Sequence, residues 1–155
     1  MSQIEYCMGP QGQVLQDYSD CRSQNSFICG PLGSGKTVQT ILKLFDLMCE
    51  QKPVMAKGHK NYGVRLSRII AARNTYSELF STTIKDWLEI HEDLGPFRQG
   101  NKEPPTHYIN FRLEDGTSVK CEVIFIAFDR PEHVKKARGI QCTWVWLNET
   151  KEHSK

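Results

Sequence analysis

Gly30-Pro31-Leu32-Gly33-Ser34-Gly35-Lys36-Thr37 is the stretch whose reading decides the fold. It fits the pattern of a glycine, four variable residues and then Gly-Lys-Thr, and its neighbours give that pattern meaning. Before it, Ser26-Phe27-Ile28-Cys29 reads as a short buried strand. After it, Val38, Ile41, Leu42, Phe45, Met48 and Cys49 recur at helical spacing, which predicts an amphipathic helix over Lys36 to Gln51. Small residues let consecutive backbone N–H groups curl around an anion, and the following helix aims its positive end at the same place. Gly30, Pro31, Leu32, Gly33, Ser34, Gly35, Lys36 and Thr37 are therefore the candidate nucleotide-binding residues. Lys36 would reach the β- and γ-phosphates, and the Thr37 hydroxyl would ligate magnesium. The bland alternative is a glycine turn that happens to precede a helix; the strand and helix on either side argue against it.

Working outward, residues 1–24 are polar, lack sustained periodicity and are expected to be an irregular lead-in packed beside the nucleotide. Lys52 to Tyr62, with Pro53 and Gly58, reads as a loop, and Val64 to Ala72 as a second strand ending in Arg73-Asn74-Thr75. Thr75 can cap a helix running through Ile90, because Glu78 stands three residues on and Leu79, Ile84, Trp87 and Leu88 make an apolar stripe. Gly95 to Pro105 breaks it. Two alternating runs, His107 to Leu113 and Ser118 to Phe128, flank Asp115-Gly116 and predict a hairpin. A short helix from Pro131 to about Gly139 comes next, then an apolar strand over Cys142 to Leu147. Strands alternating with helices predict a largely parallel α/β sheet flanked by helices, with the hairpin inserted between its units.

That last strand ends in Asn148-Glu149, where a phosphate-loop ATPase needs a magnesium ligand and a carboxylate. Glu149 is the candidate general base for the attacking water. Asn148 stands where aspartate is usual; its amide can hold a magnesium-bound water but brings no charge to the metal. Alone, Asn148-Glu149 would be an ordinary polar strand end, and the upstream glycine turn is what raises it to a candidate. Arg138, just before the last strand, could stabilise transition-state charge in a neighbouring subunit, or could simply complement a helix end. Arg73 is a further candidate for the nucleotide site, with a solvated or salt-bridged role as its alternative. Lys57, Lys60, Lys135 and Lys136 could touch phosphodiester backbone, although such charges are usually solvated surface. Trp144 and Trp146 are read as core packing on a central strand.

At 155 residues with 39% apolar content, the chain suits one soluble domain. The expected division is an N-terminal lead-in at 1–25 and a partial ATPase domain at 26–155. Twenty Lys and Arg against 18 Asp and Glu leave a charge of +2, so any DNA contact must be local and not a property of the whole field. Six scattered cysteines without a CxxC pair suggest neither a zinc site nor a disulfide framework, and read as reduced thiols in a cytosolic protein. No run approaches the about 20 apolar residues of a membrane span, so no membrane association is expected.

With these segments in order, the chain resembles phage terminase large subunits. The likeness rests on Gly-Pro-Leu-Gly-Ser-Gly-Lys-Thr, Ala-Arg-Asn-Thr-Tyr-Ser-Glu-Leu, Thr-Thr-Ile-Lys-Asp-Trp-Leu, Phe-Asp-Arg-Pro-Glu-His-Val-Lys-Lys and Trp-Leu-Asn-Glu, from about Phe27 to Glu149. The resemblance implies an ASCE-type P-loop ATPase acting in the host cytoplasm on the portal of a procapsid. It implies ATP and Mg2+ as cofactors, a homo-oligomeric ring, and double-stranded viral DNA, portal protein and small terminase subunit as partners. By that likeness Gly30 to Thr37 is the Walker A site, Asn148-Glu149 the Walker B end, and Arg138 the arginine offered in trans. The family's further strands, coupling segment and nuclease have no counterpart, so the chain is expected to be a piece of such a motor with weak turnover alone. Two other readings stay open. A small-molecule or nucleoside kinase would use the same phosphate loop without needing Glu149, and a non-catalytic remnant would fold without turnover.

Overall fold

A computed structural model of the chain describes residues 10–29, 33–100, 103–129 and 131–149, without the side chains of residues 10–13, 131, 133, 134 and 136. The chain divides into two compact units, residues 1–46 and 47–155. Among the described residues, no helix is long and apolar enough to cross a membrane.

The first unit holds α1 (Pro10–Asp20) and most of α2 (Lys36–Glu50). The helix at α1 is a correction to the irregular lead-in expected there. Proline opens it at a first-turn position, where its missing N–H costs nothing. Its polar composition hides it from a periodicity reading, since only Val14, Leu15 and Tyr18 break the run of polar and small residues from position 11. Within the unit, the Thr40 hydroxyl donates to the Tyr18 hydroxyl at 3.3 Å. The Lys43 ammonium donates to the Tyr18 carbonyl at 2.7 Å and to Ser26 Oγ at 3.1 Å, and lies 4.2 Å from the centre of the Tyr18 ring. Burial pulls the Lys43 pKa below its usual value, because desolvation penalises the ammonium. A second correction concerns Ser26 to Cys29, which are not a strand. Phe27 is 88% exposed, so the apolar burial that would hold a four-residue strand in a sheet is missing here.

The second unit is built on a five-stranded mixed sheet in the order β2-β3-β4-β1-β5, with β1 Val64–Arg73, β2 Phe97–Arg98, β3 Thr106–Arg112, β4 Ser118–Ala127 and β5 Trp144–Leu147. Strand β1 pairs in parallel with β4 from Val64–Ser118 to Arg73–Ala127, and with β5 from Ile69–Trp144 to Ala72–Leu147. Strands β3 and β4 form the antiparallel hairpin read from Asp115-Gly116, with Gly116 at φ 81° and Asp115 Oδ1 accepting from the Thr117 N–H. The sheet is mixed where a largely parallel one was expected, because the hairpin strands are part of it: β4 is a central strand with β1 parallel on one side and β3 antiparallel on the other. Strand β5 is at the sheet edge among the described residues, so the two tryptophans are not on a central strand as expected. Trp146 is nonetheless buried.

Each face of this sheet has its own core. Ile70, Ala72, Ile124 and Ile126 pack with Phe128, Ala137 and Ile140, which fixes the chain around α5 (Pro131–Arg138). On the other face Trp87 meets His91, Phe125 and Trp146, with ring centroids 4.8, 6.3 and 6.5 Å away. Fully burying side chains of this size stabilises by about 1.5–3 kcal/mol each. The buried Trp87 Nε1–H donates to His107 Nδ1 at 3.0 Å. With that nitrogen accepting, His107 Nε2 carries the proton and donates to the Gly95 carbonyl at 3.0 Å.

The segment joining β1 to β2 departs most instructively from regular expectation. The Thr75 cap is present, its hydroxyl accepting from the Glu78 N–H and donating to the Glu78 carboxylate. The helix it opens is not one continuous α-helix. It runs as α3 (Tyr76–Glu78), a π-helical turn (Leu79–Ile84) and α4 (Lys85–His91), closed by a 3-10 turn over Glu92–Leu94.

Candidate functional site

Each unit carries one set of the candidate residues. In the first unit, Gly30, Pro31 and Leu32 lie outside the described residues. The backbone from Gly33 onward is consistent with an anion-binding turn. Gly33 and Gly35 adopt φ of 73° and 79°, left-handed values that a residue with a Cβ adopts only under strain. Helix α2 begins at Lys36, immediately after Gly35, so its unpaired N-terminal N–H groups belong to the same turn. Lys36 Nζ donates to Ser34 Oγ at 2.9 Å, which bends the lysine back over the loop. Ser34 is buried, and Lys36 and Thr37 are half-buried. A cavity of about 390 Å3 in this unit is lined by residues of α1 and the segment after it, among them Asp17, Tyr18, Asn25 and Ser26.

In the second unit, adjacent strands converge on one end of the sheet. Strand β1 ends at Arg73 and β5 at Leu147, and the parallel register carries Asn148 and Glu149 past Ala72. The Asn148 N–H donates to the Ala72 carbonyl at 2.9 Å, extending the ladder by one residue. Glu149 then leaves the sheet with φ of 50°, the one positive value among the described non-glycine residues. Left-handed backbone in a residue with a side chain costs of order 1 kcal/mol or more. The Asn74 side-chain amide donates to the Glu149 carbonyl at 3.2 Å and helps hold that bend.

Arg73 is the hub of this end. Its side chain is only 7% exposed and its Nη2 donates to Glu149 Oε2 at 2.5 Å. Nη1 donates to Thr82 Oγ1 at 2.7 Å and reaches Thr83 Oγ1 at 3.5 Å, while Glu78 Oε2 stands 3.7 Å from Nε. Two carboxylates thus offset a guanidinium that could not be buried unpaired. Asn148, also buried, donates its Nδ2 to Thr83 Oγ1 at 3.0 Å. Arg73 is thus ion-paired with Glu149 at the end of β1. The sequence reading missed Thr82, Thr83 and Asn74. Two consecutive β-branched hydroxyl residues inside a predicted helix were the available signal, since threonine is a poor interior helix former.

Arg138 is exposed at the last residue of α5. Lys57, Lys60 and Lys135 are exposed, and the Lys136 side chain lies outside the described residues. Among the described residues no group of three or more His, Cys, Asp or Glu could hold a metal ion. The Thr37 hydroxyl, half-buried at the start of α2, is an oxygen donor that suits a hydrated hard cation whose charge is met by phosphates. Comparison of the chain with known protein families, with curated proteins and with solved structures finds no match.

Proposed function

We propose that this chain binds ATP through its glycine turn and supplies the hydrolytic part of a DNA-packaging motor of the terminase large-subunit kind. The observation that carries the nucleotide reading is the junction at Gly33, Gly35 and Lys36: left-handed glycines leading straight into a helix N-terminus, with a lysine folded over the loop. That combination offers backbone N–H groups, a helix dipole and one positive charge to a polyphosphate. Lys36 exchanges its 2.9 Å hydrogen bond with Ser34 for the phosphates, and Ser34, Gly35 and Thr37 supply N–H donors. The cavity beside Tyr18 is the proposed seat of the base.

Hydrolysis further requires a general base, and Glu149 is the proposed one. A carboxylate orients and deprotonates the attacking water, and Arg73 and Asn74 determine when Glu149 is placed to do so. Thr37 would hold magnesium together with the phosphates, and the ion would neutralise charge developing on them. Arg138, exposed at its helix end, is the proposed contribution to a neighbouring subunit's site. Double-stranded DNA, portal and small terminase subunit enter as proposed partners through the resemblance alone.

The kinase alternative needs no carboxylate at 149, which makes Glu149→Gln the deciding variant. A motor ATPase keeps nucleotide affinity in Glu149→Gln and loses turnover by about 100-fold or more. Turnover that survives the substitution and depends on an added hydroxyl acceptor refutes the motor reading in favour of a kinase.

A further inference from the structure

We propose that the uncovered half of one face of the five-stranded sheet is a groove that binds single-stranded nucleic acid. The groove lies wholly within the second unit, and its occupancy does not depend on the glycine turn.

Alternation along the strands assigns residues to this face. At the end nearer α5 the face is closed, where Ile70, Ala72, Ile124 and Ile126 pack with Phe128, Ala137 and Ile140. The rows before it hold Leu66, Lys120 and Asn110, and then Arg68, Glu122 and Tyr108, aligned across β1, β4 and β3. These residues floor an open groove of about 790 Å3, with Pro96 beyond β3 and Gln141 and Thr143 beyond β1. A floor three strands wide spans about 10 Å. It admits one extended chain, whereas a duplex has a major groove alone about 12 Å across.

Two of the floor residues suit stacked bases. Arg68 Nε and Nη2 contact Glu122 Oε2 at 2.7 and 2.6 Å, and Nη1 donates to the Gln141 carbonyl at 3.2 Å. With its edges held, the guanidinium becomes a fixed plane, and a side chain still 40% exposed leaves that plane open to a base. Tyr108 is the second stacking surface, with the Arg98 guanidinium carbon 5.4 Å from its ring centre.

Phosphates fall to the remaining cations. Glu122 neutralises Arg68, but Lys120, Arg98 and Arg112 are exposed and have no carboxylate partner among the described residues. Arg112 stands one row beyond Lys120 on the same face, opposite Ser118. The whole chain carries only +2, so this local excess is what would draw a polyanion. Charge complementarity selects the polyanion, and the two stacking planes select one that has bases.

The test is fluorescence anisotropy of a labelled deoxythymidine strand of about 12 nucleotides with the full chain, without ATP or magnesium, from about 50 to 200 mM NaCl. Saturable binding is expected, with log Kd rising against log salt at a slope of about 2, from about 0.7 for each of three phosphates. Lys120→Ala with Arg98→Ala, both exposed, should weaken binding about 10-fold or more at the lowest salt and cut the slope to about 0.7. Lys57→Ala with Lys60→Ala removes as much charge from the loop before β1 and should change neither. Tyr108→Leu keeps an apolar side chain without a ring and should weaken binding about 10-fold at an unchanged slope, while Tyr108→Phe binds as wild type. Absence of binding at the lowest salt, equal losses from the two double variants, or wild-type affinity in Tyr108→Leu overturns the groove. Tighter binding of a duplex of the same length, or displacement by poly-glutamate as effective as by unlabelled strand, overturns the choice of occupant in favour of duplex DNA or an acidic peptide. Lys36→Ala should bind the strand as wild type does, and a loss there places the strand on the glycine turn and overturns the groove.

Discussion

Acidification should weaken the second unit through His107, and the size of the effect follows from its surroundings. The imidazole is fully buried, accepts from Trp87 at Nδ1 and donates to Gly95 at Nε2. A second proton on Nδ1 would face the Trp87 N–H, so the folded state has no place for it. Burial lowers the His107 pKa below its usual value, against smaller raising influences from the Gly95 carbonyl and Glu92. A lowered folded pKa means that the unfolded chain binds the proton first as pH falls. Stability is therefore complete above the unfolded value, about 6.5, and declines from there down to the folded value. Between pH 7.5 and 5.5 the loss from this one group is at most about 1.4 kcal/mol. The assay is urea unfolding at pH 7.5, 6.5 and 5.5 for wild type and His107→Phe. The variant starts less stable by about 1–3 kcal/mol, because Trp87 Nε1 and the Gly95 carbonyl lose their partner, but its stability falls less steeply with acid. Parallel pH curves for the two proteins would refute the assignment of a neutral, proton-excluding His107.

Two further outcomes follow from the packing. Alanine at Gly95 places its Cβ 2.0 Å from the Tyr108 carbonyl oxygen at φ of 154°, so Gly95→Ala should lower unfolding free energy by about 3 kcal/mol; a loss too small to measure by thermal melting would contradict the close approach. Burial pushes the Cys121 thiol up to about 12, while Cys29 and Cys142 are exposed; a maleimide at pH 7.5 should label those two within minutes and reach Cys121 only on unfolding, and rapid native labelling of Cys121 would contradict its burial.

The sequence spoke most clearly where one physical signal acted alone. Helix α2, the strand from Val64, the Thr75 cap and the Asp115-Gly116 hairpin each rest on strong local patterning, and the structure has them within a residue or two. Other features depended on competition. Ser26 to Cys29 has strand-like composition, but four residues cannot outweigh the exposure of Phe27. Helix α1 has too few apolar residues for a periodicity reading to find. Whether β5 sits at the centre or the edge of a sheet depends on pairing across the chain, which composition does not encode. The candidate site obeys the same rule. Glu149, Asn148 and Lys36 announce themselves by position in a motif. The Arg73 hub does not, because Thr82 and Thr83 reach it only through a π turn that no propensity scale distinguishes from an α-helix.

Calorimetric titration of Mg-ATP into the wild-type chain and into Lys36→Ala tests the central claim, a phosphate-binding turn at residues 30–37, most directly. Saturable binding at one site in wild type, weakened at least about 100-fold by removal of the phosphate-facing charge, is the predicted result. Equal affinity in the two proteins, or no heat of binding in either, would contradict it.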